Sequence, residues 1–172
     1  MHPAALPVDV LMREVELRTT RGSGPGGQHR NKTDTMVRLT HRPTGIHAQG
    51  GERRSQDLNR VEAIRRLRIN LALQHRLELP GVVDAPELYQ PSALWRSRLR
   101  SSRIIVSATH DDFPALLAEA LDLLAKLEDD VPAAARTLGV STSQFVRFLD
   151  REPAALAELN DRRTARGKPP LR

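Results

Sequence analysis

The sequence predicts an α+β fold, with a small β-sheet and one packing helix in its first half and an all-α region in its second. Two observations support this prediction. Short segments before residue 50 alternate apolar and polar residues, which is typical of half-buried strands. After residue 54, apolar residues recur every three to four positions, which is the spacing of one helix face.

Three strands are predicted around a glycine-rich loop. Val15–Thr20 and Thr35–His41 alternate apolar and polar residues and contain β-branched side chains, so each should form a strand. Residues 42–45, with the sequence Arg-Pro-Thr-Gly, favour a tight turn. A short third strand, Ile46–Gln49, should then pair with the second.

One long helix should follow the strands, from about Arg54 to about Leu77, and Pro80-Gly81 should end it. Three of its apolar residues are expected to face the sheet: Val61, Ile64 and Leu71. Residues 1–79 are therefore predicted to form one domain.

The second half is predicted to hold a linker, a helical domain and a tail. Residues 80–110 form a proline-containing linker and a basic segment in which Trp95 should pack against the next helix. Residues 111–161 are acidic and helical, and Asp111-Asp112 should cap a helix with an apolar stripe. Residues 162–172 form a basic tail that is expected to be disordered when free.

Residues 134–148 resemble a helix-turn-helix. Alanines lie in the first helix, Gly139 lies in the turn, and Ser141–Gln144 could form a capping box at the start of the second helix. Any tight helical hairpin produces the same pattern, so both interpretations stay open.

Charge is distributed unevenly along the chain. The net charge of +6 divides into +8 over residues 1–110, −7 over 111–161 and +5 over 162–172. With three Phe, one Trp and one Tyr, extended base stacking is disfavoured. Contacts from Arg and Lys to phosphate are the expected mode of nucleic-acid binding. The absence of cysteine excludes disulfides and thiolate metal sites.

The most informative segment is Gly22–His29, with the sequence Gly-Ser-Gly-Pro-Gly-Gly-Gln-His. Almost no side chain precedes Gln28, so the backbone can approach a ligand closely and donate its N–H groups. With the following residues to 34, and with residues 37–46 and 54–60, this segment resembles the peptidyl-tRNA hydrolysis domain of class I peptide chain release factors. The same domain occurs in stand-alone ribosome rescue factors. The resemblance covers residues 10–78.

The resemblance implies an enzyme that depends on the ribosome and hydrolyses the ester joining a nascent peptide to tRNA. It implies that Gly26, Gly27 and Gln28 are catalytic. The Gln28 N–H would donate to the developing charge, its side chain would orient the attacking water, and the glycines would permit the backbone shape. One such donor is worth about 3 to 4 kcal/mol. Gln28 is also a candidate for N5-methylation by a glutamine methyltransferase, as family members commonly carry this methyl group.

Basic and polar residues near these motifs are candidates for binding ribosomal RNA. In and around the loop they are Arg21, His29, Arg30, Asn31, Lys32 and Thr33. Before and on the helix they are Arg53, Arg54, Ser55, Gln56, Asn59 and Arg60. A separate set lies in the tail, which could act as a sensor of the empty mRNA channel: Arg162, Arg163, Arg166, Lys168 and Arg172. The alternative for the helix arginines is that their long side chains cover apolar surface and stay solvated.

Two other chemistries are disfavoured. Ser23, His29 and Asp34 lie in one short loop without a scaffold that would orient them as a triad. His29, His41 and His47 lack the spacing and carboxylate support of a metal site. The sequence therefore predicts neither a protein nucleophile nor a metal or other cofactor.

Codon reading is not expected. Decoding release factors carry a Pro-x-Thr or Ser-Pro-Phe tripeptide in a separate domain, and neither occurs in these 172 residues. We therefore expect a codon-independent rescue factor that acts on stalled ribosomes. Arg30, Gly50-Gly51 and the acidic domain depart from the family pattern. The alternative is a non-catalytic regulator that binds RNA or DNA through its helix-turn-helix-like domain, although the charge of −7 opposes DNA binding.

The expected partners are the ribosome, through large-subunit RNA, and peptidyl-tRNA. No apolar run approaches the ~20 residues that a membrane span requires, and residues 1–12 hold no Lys or Arg. A cytoplasmic monomer without membrane contact is expected.

Overall fold

The computed structural model describes residues 1–20, 35–79 and 88–171. The chain divides into two compact units, one formed essentially by Pro3–His75 and the other by Arg76–Arg172. The predicted α+β class is confirmed, because a small antiparallel sheet with its helices is followed by a helical unit. The division lies at His75, slightly before the predicted domain end at residue 79.

The first unit begins with a 3-10 turn, Pro3–Ala5, and helix α1, Val8–Arg13. Its sheet contains β1 (Val15–Thr20), β2 (Met36–His41) and β3 (His47–Gly50), in the order β1-β2-β3. The three predicted strands are thus confirmed to within one residue at each end. Thr20 pairs with Met36 and Val37 pairs with Gly50. The end of β1, the start of β2 and the end of β3 therefore meet at one end of the sheet.

Helix α2, Gln56–Gln74, covers β2 and β3. Ser55 is its N-cap, because the Ser55 Oγ accepts a hydrogen bond from the Leu58 N–H at 3.4 Å. The buried face follows four-residue steps through Asn59, Ala63, Leu67 and Leu71. The single long helix is confirmed, but it ends at Gln74 rather than at Leu77.

One side chain on α2 points away from its expected direction. Val61 is 66% exposed, so the expectation that it faces the sheet is wrong. Asn59 and Ala63, two residues to either side, occupy the buried face. Because each helical residue turns by about 100°, a residue two positions away points roughly to the opposite side.

The second unit contains five helices among its described residues. They are α3 (Ala93–Arg98), α4 (Phe113–Lys126), α5 (Val131–Thr137), α6 (Thr142–Leu149) and α7 (Pro153–Ala165). A two-stranded hairpin, β4 (Leu99–Arg100) with β5 (Arg103–Ile104), lies between α3 and α4. The prediction of an all-α second half is therefore correct except for this hairpin.

The basic segment predicted as part of a linker belongs to the core of the second unit. Trp95 is fully buried, and its Nε1–H donates to the Leu138 carbonyl at 2.9 Å. The Trp95 and Phe113 rings each lie 5.5 Å from the Phe148 ring in edge-to-face geometry. The expectation that Trp95 packs against the next helix is corrected in its partner, because the ring contact of Trp95 is with Phe148 of α6.

The predicted start of α4 and the predicted helical pair are found, with one difference. Asp112 is the N-cap residue of α4, but its carboxylate makes no capping bond and instead accepts from the Arg98 Nε–H at 2.9 Å. Helices α5 and α6 are the predicted pair of helices joined by a turn, with Gly139 in the turn at φ +72°. The Ser141 Oγ caps α6 by accepting from the Gln144 N–H at 3.3 Å.

The predicted disordered tail is largely folded, so the boundary at residue 161 is wrong. Arg162 and Arg163 lie on α7. Beyond α7 the chain turns back, and the Asn160 side chain bonds the Leu171 N–H at 2.7 Å and the Leu171 carbonyl at 3.1 Å. Arg172 lies outside the described residues. In the three described ranges, no helix has both the length and the hydropathy needed to cross a bilayer.

Candidate functional site

The glycine loop itself, residues 21–34, lies outside the described residues. This range contains all three catalytic candidates and half of the RNA-binding candidates of the first unit: Gly26, Gly27, Gln28, Arg21, His29, Arg30, Asn31, Lys32 and Thr33. The structure describes the base of the loop. Thr20 ends β1, and Thr35 immediately precedes β2.

Asn59 connects this base to α2. Its side chain is fully buried, and its Nδ2 group donates to the Thr35 carbonyl at 2.7 Å and to the Arg53 carbonyl at 2.8 Å. Its Oδ1 accepts from the Arg53 N–H at 2.8 Å. A buried amide is costly without such partners. The expectation that Asn59 binds RNA is therefore corrected, because its carboxamide holds the loop base and the residues before α2.

Gly50 allows α2 to approach the sheet this closely. A Cβ at Gly50 would lie 2.2 Å from the backbone carbonyl oxygen of Asn59, a distance at which backbone must shift. At Gly51 a Cβ would instead meet the flexible Met36 side chain, at 3.3 Å. The departure noted at Gly50 thus has a structural reason, since only glycine fits between β3 and α2.

Two charged residues stabilise the turn between β3 and α2. The Arg66 Nη1–H donates to the Glu52 Oε1 at 2.7 Å and to the Gln49 carbonyl at 2.9 Å. The hydrogen bond from Arg66, aided by one from the Gly51 N–H, lowers the pKa of Glu52 to about 2. Glu52 is therefore ionised at neutral pH, and the Arg66 guanidinium is engaged in hydrogen bonds within the protein.

Three arginines remain exposed near this end of the sheet. Arg53 and Arg54 precede α2, and Arg60 lies in its second turn. Among the described residues no carboxylate lies within ion-pair distance of these three side chains. Ser55 and Gln56 are exposed beside them, although the Ser55 hydroxyl caps the helix. The Arg53 backbone is held by Asn59, so at least one of these cations is attached to the loop base.

Sequence reasoning missed two apolar residues at this surface. Leu58 is 58% exposed and Val61 is 66% exposed, and both line a shallow groove with Glu52, Arg53 and Glu62. The sequence gives one indication of their exposure. The buried residues of α2 recur every four positions from Asn59, and residues 58 and 61 are not among them.

Of the two described histidines of the disfavoured metal hypothesis, His41 and His47, the first has local side-chain partners. His41 is buried, and its ring nitrogens lie 2.8 Å from the Thr44 Oγ1 and 3.1 Å from the Glu14 Oε2. Within the part of the chain that the structure covers, no three His, Asp or Glu residues are grouped as a metal site.

The candidates at the carboxyl end are engaged in the second unit. The Arg162 Nε–H donates to the buried Asp129 carboxylate at 3.0 Å, and the Arg166 Nη1–H donates to the same carboxylate at 3.0 Å. Arg163 donates to the Pro169 carbonyl at 3.0 Å. Lys168 is exposed. Arg162 and Arg166 therefore stabilise the fold of this unit.

The match to a known domain includes most of the first unit. Residues 4–84 match the RF-1 domain. Peptide chain release factor 1 of Acidiphilium cryptum is 50% identical over 76 residues, which are 43% of this chain and 22% of that protein. Peptide chain release factor 2 of Burkholderia pseudomallei is 37% identical over 97 residues, which are 56% of this chain and 26% of that protein. The chain thus spans about a quarter of the length of the curated relatives that it matches.

Proposed function

We propose, from the match of residues 4–84 to the RF-1 domain, that this chain acts in translation termination and promotes hydrolysis of the peptidyl-tRNA ester on the ribosome. The observation that carries the proposal is the match to this domain, which includes Gly26-Gly27-Gln28. The attachment of the loop base to α2 through Asn59 supports it, because a loop that enters an RNA active site needs a fixed base.

The proposed chemistry uses the backbone of the loop. Water attacks the ester carbonyl carbon, and the bond from that carbon to the tRNA 3′ oxygen breaks. The peptide leaves as a carboxylic acid, and the 3′ oxygen takes up a proton derived from the water. The Gln28 N–H stabilises the negative charge that develops during the reaction. The Gln28 side chain orients the water, while Gly26 and Gly27 allow the backbone to come close. One preorganised donor contributes about 3 to 4 kcal/mol of transition-state stabilisation. The remaining stabilisation is assigned to the ribosomal RNA, so the chain alone is nearly inactive.

Exposed cations in the first unit are proposed to dock the domain on large-subunit RNA. Arg53, Arg54 and Arg60 have no described carboxylate partner and can contact phosphate. The loop residues Arg21, Arg30 and Lys32 are proposed to do the same, with His29, Asn31 and Thr33 as polar contacts. Gln28 is proposed as a substrate of a glutamine methyltransferase.

The finer proposal is that release does not depend on a stop codon, so that stalled ribosomes are substrates. It is motivated by the lack of either recognition tripeptide within these 172 residues. The test uses the full chain and ribosomes that carry labelled peptidyl-tRNA. Three messages are compared: one truncated after the peptidyl-tRNA site, one with a sense codon in the next site and one with a stop codon there.

The proposal predicts release from the truncated complex without any need for a stop codon. Free peptidyl-tRNA is the control, and its hydrolysis should not be accelerated. An absence of release from all three complexes would contradict the proposed activity. Release only in the presence of the stop codon would contradict codon independence and leave a role in termination.

A further inference from the structure

The β4–β5 hairpin carries exposed positive charge beside α6. Arg100 pairs with Arg103 across the hairpin, and Ser101 and Ser102 form its tip with φ of 44° and 58°. Two positive φ values are typical of the tight turn that matches the twist of an antiparallel pair. The two arginine side chains are therefore displayed next to each other at the end of a short, defined element.

The hairpin tip is attached to the start of α6. The Ser141 N–H donates to the Ser102 carbonyl at 3.4 Å, and the Ser141 and Ser143 hydroxyl oxygens lie 3.3 Å apart. Ser143 and Arg147 are four residues apart on α6 and therefore share one face of it, and both are exposed. Hairpin and helix thus form one continuous surface, which we call the hairpin surface: Arg100, Arg103, Ser141, Ser143 and Arg147.

The three arginines of this surface are not neutralised by neighbouring carboxylates. Arg100 donates to the adjacent Leu99 carbonyl, and neither Arg103 nor Arg147 has an ion pair with any residue that the structure describes. Several acidic residues of the unit are engaged elsewhere. Asp112 pairs with Arg98, and Asp129 pairs with Arg162.

The folded unit also differs in charge from the acidic segment recognised in the sequence. Residues 76–172 contain 14 Lys or Arg and 14 Asp or Glu, so the unit is neutral overall. The net charge of −7 applies to residues 111–161 alone, and these are only part of the folded unit. Net charge therefore does not oppose binding of a polyanion at the hairpin surface.

We propose that the hairpin surface is a second RNA-docking site, which binds the phosphate backbone of structured RNA. Its side chains are guanidinium and hydroxyl groups, which suit phosphate oxygens. It presents no aromatic ring for base stacking and no Asn or Gln for paired contacts to base edges. Binding is therefore sensitive to charge and backbone shape and insensitive to base sequence. The choice of RNA over DNA rests on the proposed function.

The test measures binding of the full chain to an RNA duplex of about 20 base pairs and to a DNA duplex of the same sequence, by fluorescence anisotropy. Salt is varied between about 50 and 200 mM. The variants are Arg100→Ala/Arg103→Ala and Arg147→Ala, with Arg100→Lys/Arg103→Lys as the conservative form. The matched control, Arg13→Ala/Lys126→Ala, removes two charges that are paired with Asp9 and Glu78.

The double alanine variant should bind the RNA duplex about tenfold more weakly, and its salt slope should fall by about one for each arginine removed. The lysine variant and the control should bind nearly as well as the wild type. Arg147→Ala should weaken binding to a smaller extent. Circular dichroism should show the same fold in every variant. The Arg100 side chain donates to a neighbouring carbonyl, and the Arg103 side chain makes no ion pair with any described residue.

Equal RNA binding by the double alanine variant and the wild type would overturn the proposal, and so would an equal loss in the control. Tighter binding of the DNA duplex, with the same dependence on Arg100 and Arg103, would overturn the assignment to RNA. Peptide release is measured in parallel. A wild type that releases no peptide would contradict the proposed function, whereas weaker RNA binding by the double alanine variant would still support the hairpin surface.

Discussion

The side-chain amide of Asn59 donates a hydrogen bond to the carbonyl oxygen of Thr35 at 2.7 Å. Thr35 is the first described residue after the glycine loop, and Asn59 lies fully buried in the second turn of α2. Because the same carboxamide also bonds both backbone groups of Arg53, it joins the loop base, the turn before α2 and the helix.

Asn59→Ala should therefore destabilise the first unit. The change leaves the Arg53 N–H and two carbonyls without their partners, at a cost of about 2 to 4 kcal/mol in the free energy of unfolding. Urea denaturation followed by far-UV circular dichroism measures this. The control is Arg60→Ala at the next, exposed position, which should change stability by about 0.5 kcal/mol or less. Equal stabilities of the two variants would show that Asn59 does not hold the loop base.

Gly50→Ala should destabilise the protein more than Gly51→Ala. The new methyl group at residue 50 would meet the Asn59 carbonyl oxygen, which is part of the α2 backbone and can move only with the helix. Overpacking of this kind costs about 1 to 3 kcal/mol or more. At residue 51 the obstacle is the flexible Met36 side chain, so the cost should be smaller. Thermal unfolding of both variants compares them, and a lower melting temperature for Gly51→Ala would contradict the predicted order.

The regular parts of the fold were predictable from periodicity. The strand at Val15–Thr20 and the helix after Ser55 follow from alternation and from a three-to-four-residue spacing. The hairpin at Leu99–Ile104 was not, because two-residue strands are too short for a periodic signal. The tail was misread for a different reason. Its composition resembles a disordered segment, but Arg162 and Arg166 fold against Asp129, which lies more than thirty residues earlier.

The stability of the second unit should fall as pH rises from about 4 to about 6. Burial raises the pKa of Asp122 from 3.8 to about 6, although the Leu77 N–H and the charge of Arg76 act in the opposite direction. In this window the folded state holds a proton that the unfolded state has lost, so raising the pH favours unfolding. The loss amounts to about 2 to 3 kcal/mol and is complete above the folded pKa.

Asp122→Asn should remove most of this pH dependence, since the asparagine carbonyl can still accept from the Leu77 N–H. Trp95 is the single tryptophan and is buried in the second unit, so its fluorescence reports unfolding there. Asp150→Asn, at an exposed position of the same unit, should keep the wild-type profile. Identical profiles for Asp122→Asn and the wild type would rule out Asp122 as the titrating group.

Arg162→Ala should destabilise the second unit much more than Arg163→Ala. Asp129 is 2% exposed, and removing Arg162 leaves its carboxylate buried with only Arg166 as an ionic partner. Because Asp129 keeps Arg166, the cost is that of lost hydrogen bonds to a charged group, about 2 to 3 kcal/mol. Arg163 bonds only the Pro169 carbonyl, so its loss should cost about 1 kcal/mol. Urea unfolding followed by Trp95 fluorescence makes the comparison, and equal effects would restore the interpretation of this segment as a free tail.

The candidate site was predictable in part. The catalytic candidates come from a short motif, which can be read from residue order alone. Asn59 was predicted to bind RNA because it is a polar residue among several arginines. Its burial depends instead on Gly50 and on the packing of α2 against β3. The role of Asn59 in holding the loop base depends on contacts between residues that are distant in sequence. Local sequence patterns do not reveal such contacts.

Gly27 and Gln28 are proposed to promote peptide release on the ribosome. The most direct measurement is the single-turnover rate of peptide release from ribosomes stalled on a truncated message, for the wild type, Gly27→Ala, Gln28→Ala and the control Arg13→Ala. Both loop variants should release peptide at least about a hundredfold more slowly than the wild type, while Arg13→Ala, an exposed change on α1, should match it. Release at the wild-type rate by both loop variants would contradict a role of Gly27 and Gln28 in peptide release.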